Sequence, residues 1–141
     1  MVYNHLYGGF KFMAKLTDEM KELMSKQLAY ISTVSSDGRP NIGPKRTMRI
    51  VDDSTLMYNE NTGRRTFENL KANGRASVAY VDWEKLDGYR FVGKSEIFTE
   101  GKIFDEAVEW AKGKVPKAVV LIHIEEIDTL KMGATAGTKL Q

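Results

Sequence analysis

The most restrictive feature of this sequence is how few residues separate its β-type runs. AYISTV (29–34) leads into SSDG, whose Asp37-Gly38 pair is a strong hairpin signal. RPNIGPKRTMRI (39–50) and TLMYN (55–59) follow at similarly short intervals. Parallel neighbours need a crossover of about a dozen residues or more. We therefore expect an antiparallel meander of three strands, with Pro40 and Pro44 confining part of the second to an edge, bulge or bend.

Three further β-type runs occupy the second half of the chain. They are RASVAYVDW (75–83), YRFVGKSEIFT (89–99) and KAVVLIHIEEIDTLKM (117–132). The first two are joined by the short turn EKLDG, which again predicts antiparallel neighbours. The last run is apolar almost without interruption at its start, which is typical of a strand buried on both faces.

Three segments have the apolar spacing of helices. They run from Leu16 to about Leu28, over TGRRTFENLKANG (62–74) and over KIFDEAVEWAKG (102–113). Thr17 is the predicted cap of the first helix, with Asp18 and Glu19 favourably placed in its first turn. Asn73-Gly74 predicts the end of the second helix and Gly113 that of the third.

The order of elements is helix, three strands, helix, two strands, helix, strand. A sheet of six strands in a chain of 141 residues would curl, and closure into a barrel removes its exposed edges. We predict a mainly β fold, a six-stranded antiparallel barrel with peripheral helices. The length suits one domain, which we place at residues 13–141, with residues 1–12 as an N-terminal extension.

Composition excludes several classes of function. The net charge of +2 gives no general attraction to nucleic acid or membrane. Cysteine is absent, and His5 and His123 are the only imidazoles, so a cysteine or histidine metal cluster is not expected. The longest apolar run, AVVLI (118–122), is far below the roughly 20 residues of a membrane span. We expect a cytoplasmic protein without a metal.

The second helix begins with two arginines, Arg64 and Arg65, after the predicted cap Thr62. The start of a helix carries partial positive charge, so each cation there typically costs about 0.3–1 kcal/mol. A doubly charged anion reverses that cost if backbone N–H groups, two guanidinium groups and the hydroxyls of Thr62 and Thr66 surround it. Phosphate is the natural candidate. The alternative, that both arginines point into water, is equally compatible with this segment alone.

A second basic segment, PKRTMRI, favours the anion site. Strand alternation would place Lys45, Thr47 and Arg49 on one face, with Arg46 and Met48 on the other. If TLMYN pairs with that strand and leads directly into the helix, the two basic segments meet at one corner of the barrel. An ordinary solvated basic edge remains the alternative.

Conventional catalytic groups are scarce. His123 lies inside an apolar strand and is predicted to be a packed residue, and no sequence resembles a dinucleotide fingerprint or a Walker loop. A phosphate site without a nucleophile, metal cluster or acid–base pair suggests that a bound cofactor performs the chemistry.

Three stretches resemble a known family. They are VSSDGRPNIGP (34–44), LMYNENTGRRTFENLKANGRASVAYVD (56–82) and FVGKSEIF (91–98), and they resemble the pyridoxamine 5'-phosphate oxidase-like proteins with the FMN-binding split barrel. The resemblance implies a homodimer of six-stranded split barrels with two FMN molecules in grooves at the interface. It also implies that each pocket is completed by an aromatic residue of the partner, for which Trp83 and Trp110 are both candidates.

The resemblance assigns cofactor contacts to three segments. The basic pair Arg64 and Arg65, with Thr66, would hold the FMN phosphate. Second-strand residues that line the flavin and reach the phosphate match Lys45, Arg46, Thr47 and Met48, and the end of the third strand matches Tyr58 and Asn59. Together with Thr62, these are the predicted cofactor-binding residues.

One departure narrows the expected function. True pyridoxamine phosphate oxidases carry a C-terminal arginine and histidine segment for the substrate phosphate, whereas this sequence ends in GTKLQ. We therefore expect an FMN-dependent oxidoreductase that passes hydride or electrons to a small-molecule acceptor, rather than an enzyme of vitamin B6 oxidation. The alternatives are the same fold with haem or a deazaflavin, and a small barrel that binds nucleic acid through its basic edge.

Overall fold

The computed structural model describes residues 13–141, so the predicted extension at 1–12 lies outside the described residues. The helices are α1 (Asp18–Lys26), α2 (Arg65–Asn73) and α3 (Lys102–Trp110). The strands are β1 (Tyr30–Val34), β2 (Pro40–Pro44), β3 (Arg49–Asp52), β4 (Thr55–Glu60), β5 (Arg75–Asp82), β6 (Asp87–Phe98) and β7 (Ala118–Thr129).

The strands form one seven-stranded sheet in the order β2-β1-β5-β6-β7-β4-β3. Every neighbouring pair in it is antiparallel, which confirms the prediction of a mainly β antiparallel fold. The sheet has one strand more than predicted because the run at 39–50 divides into β2 and β3. These two strands are consecutive in sequence and lie at opposite edges of the sheet.

Residues 45–48, which we call the β2–β3 link, cross from one edge of the sheet to the other. Pro44 is the last residue of β2, and the Lys45 N–H donates to the carbonyl of Ala29 at 2.9 Å. The Met48 N–H then donates to the Lys45 carbonyl at 3.2 Å, which closes a turn before Arg49 pairs with Met57. The predicted alternation of residues 45–49 along a single strand is therefore wrong, because their backbone hydrogen bonds are those of a turn.

The core packs residues of α1 and α2 against the sheet. Thr17 caps α1 as predicted, its hydroxyl accepting from the Met20 N–H at 3.2 Å, and the helix buries Met20 and Met24 against the sheet. Alternate residues of the central strands complete the core, including Ile31, Leu56, Tyr58, Val78, Phe91, Ile122 and Ile124. The strand β7 is buried along almost its whole length, as its apolar run predicted.

The helix α2 lies across the edge of the sheet formed by β1 and β2. Two buried or half-buried amides fix it there: Asn69 Nδ2 donates to Thr33 Oγ1 at 3.0 Å, and Asn73 Nδ2 to the Val34 carbonyl at 2.7 Å. The helix ends at Gly74, whose φ of 71° is the left-handed conformation that Asn73-Gly74 predicted. This docking sets the first turn of α2 beside β2.

No helix within residues 13–141 combines the length and the apolar character needed to span a bilayer. In the same part of the chain, no three residues among His, Cys, Asp and Glu are grouped so that they could hold a metal ion.

The close approach of β6 and β7 at Gly93 provides a test of the fold. A Cβ atom at this position would lie 2.0 Å from the carbonyl oxygen of His123. Gly93→Ala should lower the free energy of unfolding by at least about 1–3 kcal/mol, because the clash is with backbone beside a bulge in the ladder. Chemical denaturation measures the change.

Gly43→Ala is the matched control, since Gly43 lies in the edge strand β2 and a Cβ there meets nothing within 4 Å. It should be neutral or slightly stabilising. Equal destabilisation by the two substitutions would contradict the packing of β6 on β7.

Candidate functional site

A groove of about 280 Å³ runs between β2 and the first turn of α2. Its lining residues are Asn41, Ile42, Thr62, Arg64, Arg65 and Thr66. We call it the β2–α2 groove. It brings together all the predicted ligands of the TGRRT segment, and Asn41 Nδ2 donates to Thr66 Oγ1 across it at 3.1 Å.

Arg64 and Arg65 make the groove electropositive. Both side chains are exposed, and within residues 13–141 neither has a carboxylate within 4.0 Å. The helix begins at Arg65 with Arg64 as its N-cap, and no side chain caps it, so Thr62 as the N-cap was a wrong prediction. Uncapped N–H groups and two guanidinium groups thus share one helix start, whereas α1 has a side-chain cap and two carboxylates there. The first turn of α2 has one carboxylate, Glu68, which pairs with Lys71.

Thr62 does not cap the helix because the carboxylate of Glu60 holds it outside the first turn. Glu60 Oε2 accepts from the Thr62 N–H and hydroxyl, each at 3.2 Å, and from the Gly63 N–H at 2.9 Å. Gly63 has a φ of 68°, and a Cβ there would lie 2.7 Å from Cδ of Lys117. The turn before α2 therefore requires both a glycine and a carboxylate beneath it.

The other oxygen of Glu60 faces the interior. Glu60 Oε1 accepts from Lys45 Nζ and from the Tyr58 hydroxyl, each at 3.2 Å, and the residue is fully buried. Burial alone would raise the pKa of Glu60, but the Gly63 N–H, Lys45 and the Tyr58 hydroxyl together hold it below its ordinary value of 4.5. The carboxylate is therefore charged whenever the protein is near neutral pH.

Two predicted ligands, Lys45 and Tyr58, face Glu60. The Lys45 side chain is 14% exposed, and its ammonium lies 5.0 Å from the centre of the Tyr58 ring. Burial, with the charge of Glu60, raises the pKa of Tyr58, which keeps its hydroxyl a donor. The two predicted basic segments do meet at one corner of the barrel, and Glu60 is the group that joins them.

Thr47 and Asn59 form a second network behind the groove. The Asn59 N–H donates to Thr47 Oγ1 at 3.0 Å, and the Asn59 amide group donates to the Ala107 carbonyl at 3.2 Å and accepts from Arg49 at 3.1 Å. The guanidinium of Arg49 stacks on Trp110, 3.7 Å from the ring centre. These contacts tie the β2–β3 link and β4 to α3. Trp110 contacts Arg49 but is 51% exposed, so its contact with a partner's cofactor stays a prediction.

The remaining predicted residues have different surroundings. Met48 packs against the core, whereas Arg46 is exposed on the β2–β3 link. His123 is 1% exposed, which confirms the prediction of a packed histidine, and its Nε2 lies 2.8 Å from Glu96 Oε1. Ligand contact by the predicted residues stays a prediction, but their positions separate those that line the groove from those that support it.

The family model for pyridoxamine 5'-phosphate oxidase matches residues 16–131, which include the groove and both networks behind it. The chain belongs to the pyridoxamine 5'-phosphate oxidase family. Its antiparallel sheet with three peripheral helices is the split-barrel fold that the sequence resemblance implied.

Solved structures agree with this membership. HupZ of Group A Streptococcus is 52% identical, with 86% of this chain and 99% of that chain covered and a TM-score of 0.80. A Lactobacillus delbrueckii protein named for the pyridoxamine 5'-phosphate oxidases is 32% identical, with coverages of 80% and 93% and a TM-score of 0.74. An FMN-binding protein of Syntrophomonas wolfei is 17% identical, with coverages of 83% and 87% and a TM-score of 0.68, which shows the shared fold alone.

Sequence reasoning missed two residues of the site, Asn41 and Glu60. A signal for Glu60 was present, because alternation along β4 puts Leu56, Tyr58 and Glu60 on the same, core-facing side. A carboxylate on a core face requires a cationic partner. The structure shows that this partner is Lys45. Asn41 had no comparable signal, since its role depends on how α2 docks beside β2.

Glu60→Gln should lower the free energy of unfolding by about 3–5 kcal/mol at neutral pH, because it leaves the Lys45 ammonium buried without its counter-ion. The pH dependence has a defined sign. Since folding lowers the pKa of Glu60, its stabilising contribution is complete above about pH 4.5 and is lost as the pH falls through the folded-state value. Denaturant titrations across this range measure both effects.

The control is Glu68→Gln, which removes a carboxylate whose partner, Lys71 at 3.0 Å, is exposed. It should change the free energy of unfolding by less than about 0.5 kcal/mol. If Glu60→Gln behaved like this control, the buried ion pair would not be a determinant of stability.

Proposed function

We propose that this protein binds FMN with its phosphate in the β2–α2 groove and acts as an FMN-dependent oxidoreductase that delivers hydride or electrons to a small-molecule acceptor. The observation that carries the proposal is the pair Arg64 and Arg65, exposed side by side at an uncapped helix start without a carboxylate partner in residues 13–141. Membership of the pyridoxamine 5'-phosphate oxidase family and the fold shared with an FMN-binding protein support it.

The groove has the donors that a phosphate dianion requires. Two guanidinium groups and the Thr66 hydroxyl can all donate, and because Thr66 Oγ1 already accepts from Asn41, its own proton is available to a ligand. The nearest buried carboxylate, Glu60, is neutralised by Lys45. A second hollow of about 220 Å³ shares Asn41 and Arg65 with the groove, and its lining includes the carboxylate of Asp37.

The residues of the groove bind and orient and do not transfer protons. Its lining consists of amide, hydroxyl, guanidinium and aliphatic side chains, none of which is a general acid or base near neutral pH. FMN, when bound, supplies hydride and electron transfer at its ring system. The chain holds the phosphate through Arg64 and Arg65, and Ile42, which is 69% exposed, offers an apolar surface beside it.

We propose further that the protein works as a homodimer. Residues Tyr30, Ile42 and Val81 are exposed hydrophobics, and the pairing of β2, β1 and β5 puts them on the outward face of the sheet. An exposed apolar face of this kind favours association with a second copy, which would also cover a ring system that extends from the groove. Light scattering during gel filtration tests the dimer.

Binding of FMN and of riboflavin isolates the contribution of the phosphate. The wild-type protein should bind FMN more tightly, and Arg64→Ala/Arg65→Ala should weaken FMN binding by on the order of 10- to 100-fold per arginine, since each is a charge-assisted contact worth about 1.5–3 kcal/mol. Riboflavin affinity should change little, so the ratio of the two dissociation constants should approach one. Quenching of flavin fluorescence measures both.

Lys114→Ala/Lys131→Ala, which removes two exposed cations elsewhere, should leave the ratio at its wild-type value. An equal loss in both double variants would show that net charge, rather than the groove, attracts the ligand. The absorption spectrum of the protein as purified separates FMN from haem and from a deazaflavin. A colourless protein that binds oligonucleotides with a steep salt dependence would instead favour the nucleic-acid alternative.

A further inference from the structure

We propose that Glu60 is the positioning residue of the β2–α2 groove, and that Lys45 acts on a bound phosphate only through Glu60. The identity of the ligand rests on the proposed function, whereas the positioning role rests on the contacts of the carboxylate. Glu60 lies beneath the groove and does not line it, so it shapes the site without touching the ligand.

The first step of the argument is the hold that Glu60 has on the turn. One oxygen, Oε2, accepts two backbone N–H groups and a hydroxyl from Thr62 and Gly63, the residues immediately before the arginines. Three bonds to one buried atom leave the turn little freedom. The position of that oxygen therefore sets the direction in which the chain enters α2. It also sets the backbone positions from which the side chains of Arg64 and Arg65 extend.

The second step concerns the other oxygen and Lys45. Glu60 Oε1 accepts from the Lys45 ammonium, which lies over the Tyr58 ring and is largely withdrawn from solvent. Lys45 belongs to the β2–β3 link, so the ion pair joins the link at one edge of the barrel to the turn before α2. The same pair cancels the negative charge of Glu60, which would otherwise weaken the attraction of the groove for an anion.

The third step is that glutamine cannot replace glutamate at this position. Its carboxylate accepts from Lys45 and Tyr58 on Oε1 and three times from Thr62 and Gly63 on Oε2. These bonds use both oxygens and all of the roughly four lone-pair sites that an ionised carboxylate has. Glutamine is nearly the same size but has a single acceptor oxygen, and its NH₂ group would face donors. Glu60→Gln must therefore release either the turn or the lysine.

The test compares four proteins: wild type, Glu60→Gln, Lys45→Met and the paired variant Lys45→Met/Glu60→Gln. The measured quantity is the riboflavin dissociation constant divided by the FMN dissociation constant. A loss of stability alone does not change this ratio for the folded protein. Glu60→Gln should lower the ratio by about tenfold, the equivalent of one weakened charge-assisted bond. The paired variant avoids a buried unpaired charge and keeps the test valid if Glu60→Gln does not fold.

The double-mutant cycle decides the role of Lys45. If Lys45 acts through Glu60, Lys45→Met should lower the ratio in the wild-type background but change it by less than about twofold in the Glu60→Gln background. If Glu60→Gln does not fold, the paired variant should instead have the same ratio as Lys45→Met. Equal losses in both backgrounds would make Lys45 a direct ligand and overturn the proposal. A wild-type ratio in the paired variant would also overturn it, and Glu106→Gln, an exposed control on α3, should leave the ratio unchanged.

Inorganic phosphate separates this proposal from the proposed function. Titration of the protein with phosphate, followed through the backbone amide resonances of Gly63 and Arg65, should show binding that weakens about tenfold in Glu60→Gln or the paired variant. If phosphate binds in this way while FMN does not, the positioning role stands and the flavin assignment fails. If wild-type protein binds no phosphate at the groove, or binds it as tightly as the variants, the positioning role fails.

Discussion

A carboxylate taken out of water has to be surrounded by hydrogen-bond donors, and that requirement at Glu60 organises one end of the barrel. Its partners come from three places: the β2–β3 link, the interior face of β4 and the turn before α2. None of these segments is fixed in its observed position by apolar packing alone. The cost of burying one charge thus becomes a geometric constraint on the residues that line the groove.

This constraint acts between the two edge strands of the sheet, β2 and β3. Among residues 13–141, strand β2 forms a ladder only with β1, and β3 only with β4, so the described sheet is open between them. The chain itself bridges the opening through the β2–β3 link, which is held by Lys45 on one side and by Thr47 and Asn59 on the other. The β2–α2 groove lies between β2 and the start of α2, and the hydrogen bond from Asn41 to Thr66 spans it.

The sequence was most informative where a single local rule applies. Thr17 as a cap, Asn73-Gly74 as a helix end and the long buried β7 each follow from short-range chemistry or burial, and each was predicted correctly. The division of the run at 39–50 was missed, because Pro44 ends a strand without indicating where the chain goes next. Thr62 was misassigned as a helix cap because its N–H and hydroxyl both donate to the buried carboxylate of Glu60. The position of that carboxylate depends on its contact with Lys45, which is distant in sequence.

In the proposed site, the exposed Arg64 and Arg65 contact the ligand, whereas the buried Glu60 beneath them holds the turn from which they extend. Arg64 and Arg65 are exposed and make no ion pair within residues 13–141, so their substitution removes little buried contact. Glu60 and Lys45 are fixed by the interior, and substitution there disturbs the fold. A lineage can therefore exchange the outer residues for others that suit a different anionic ligand while the supporting layer stays the same, and a protein engineer has the same freedom at the same positions.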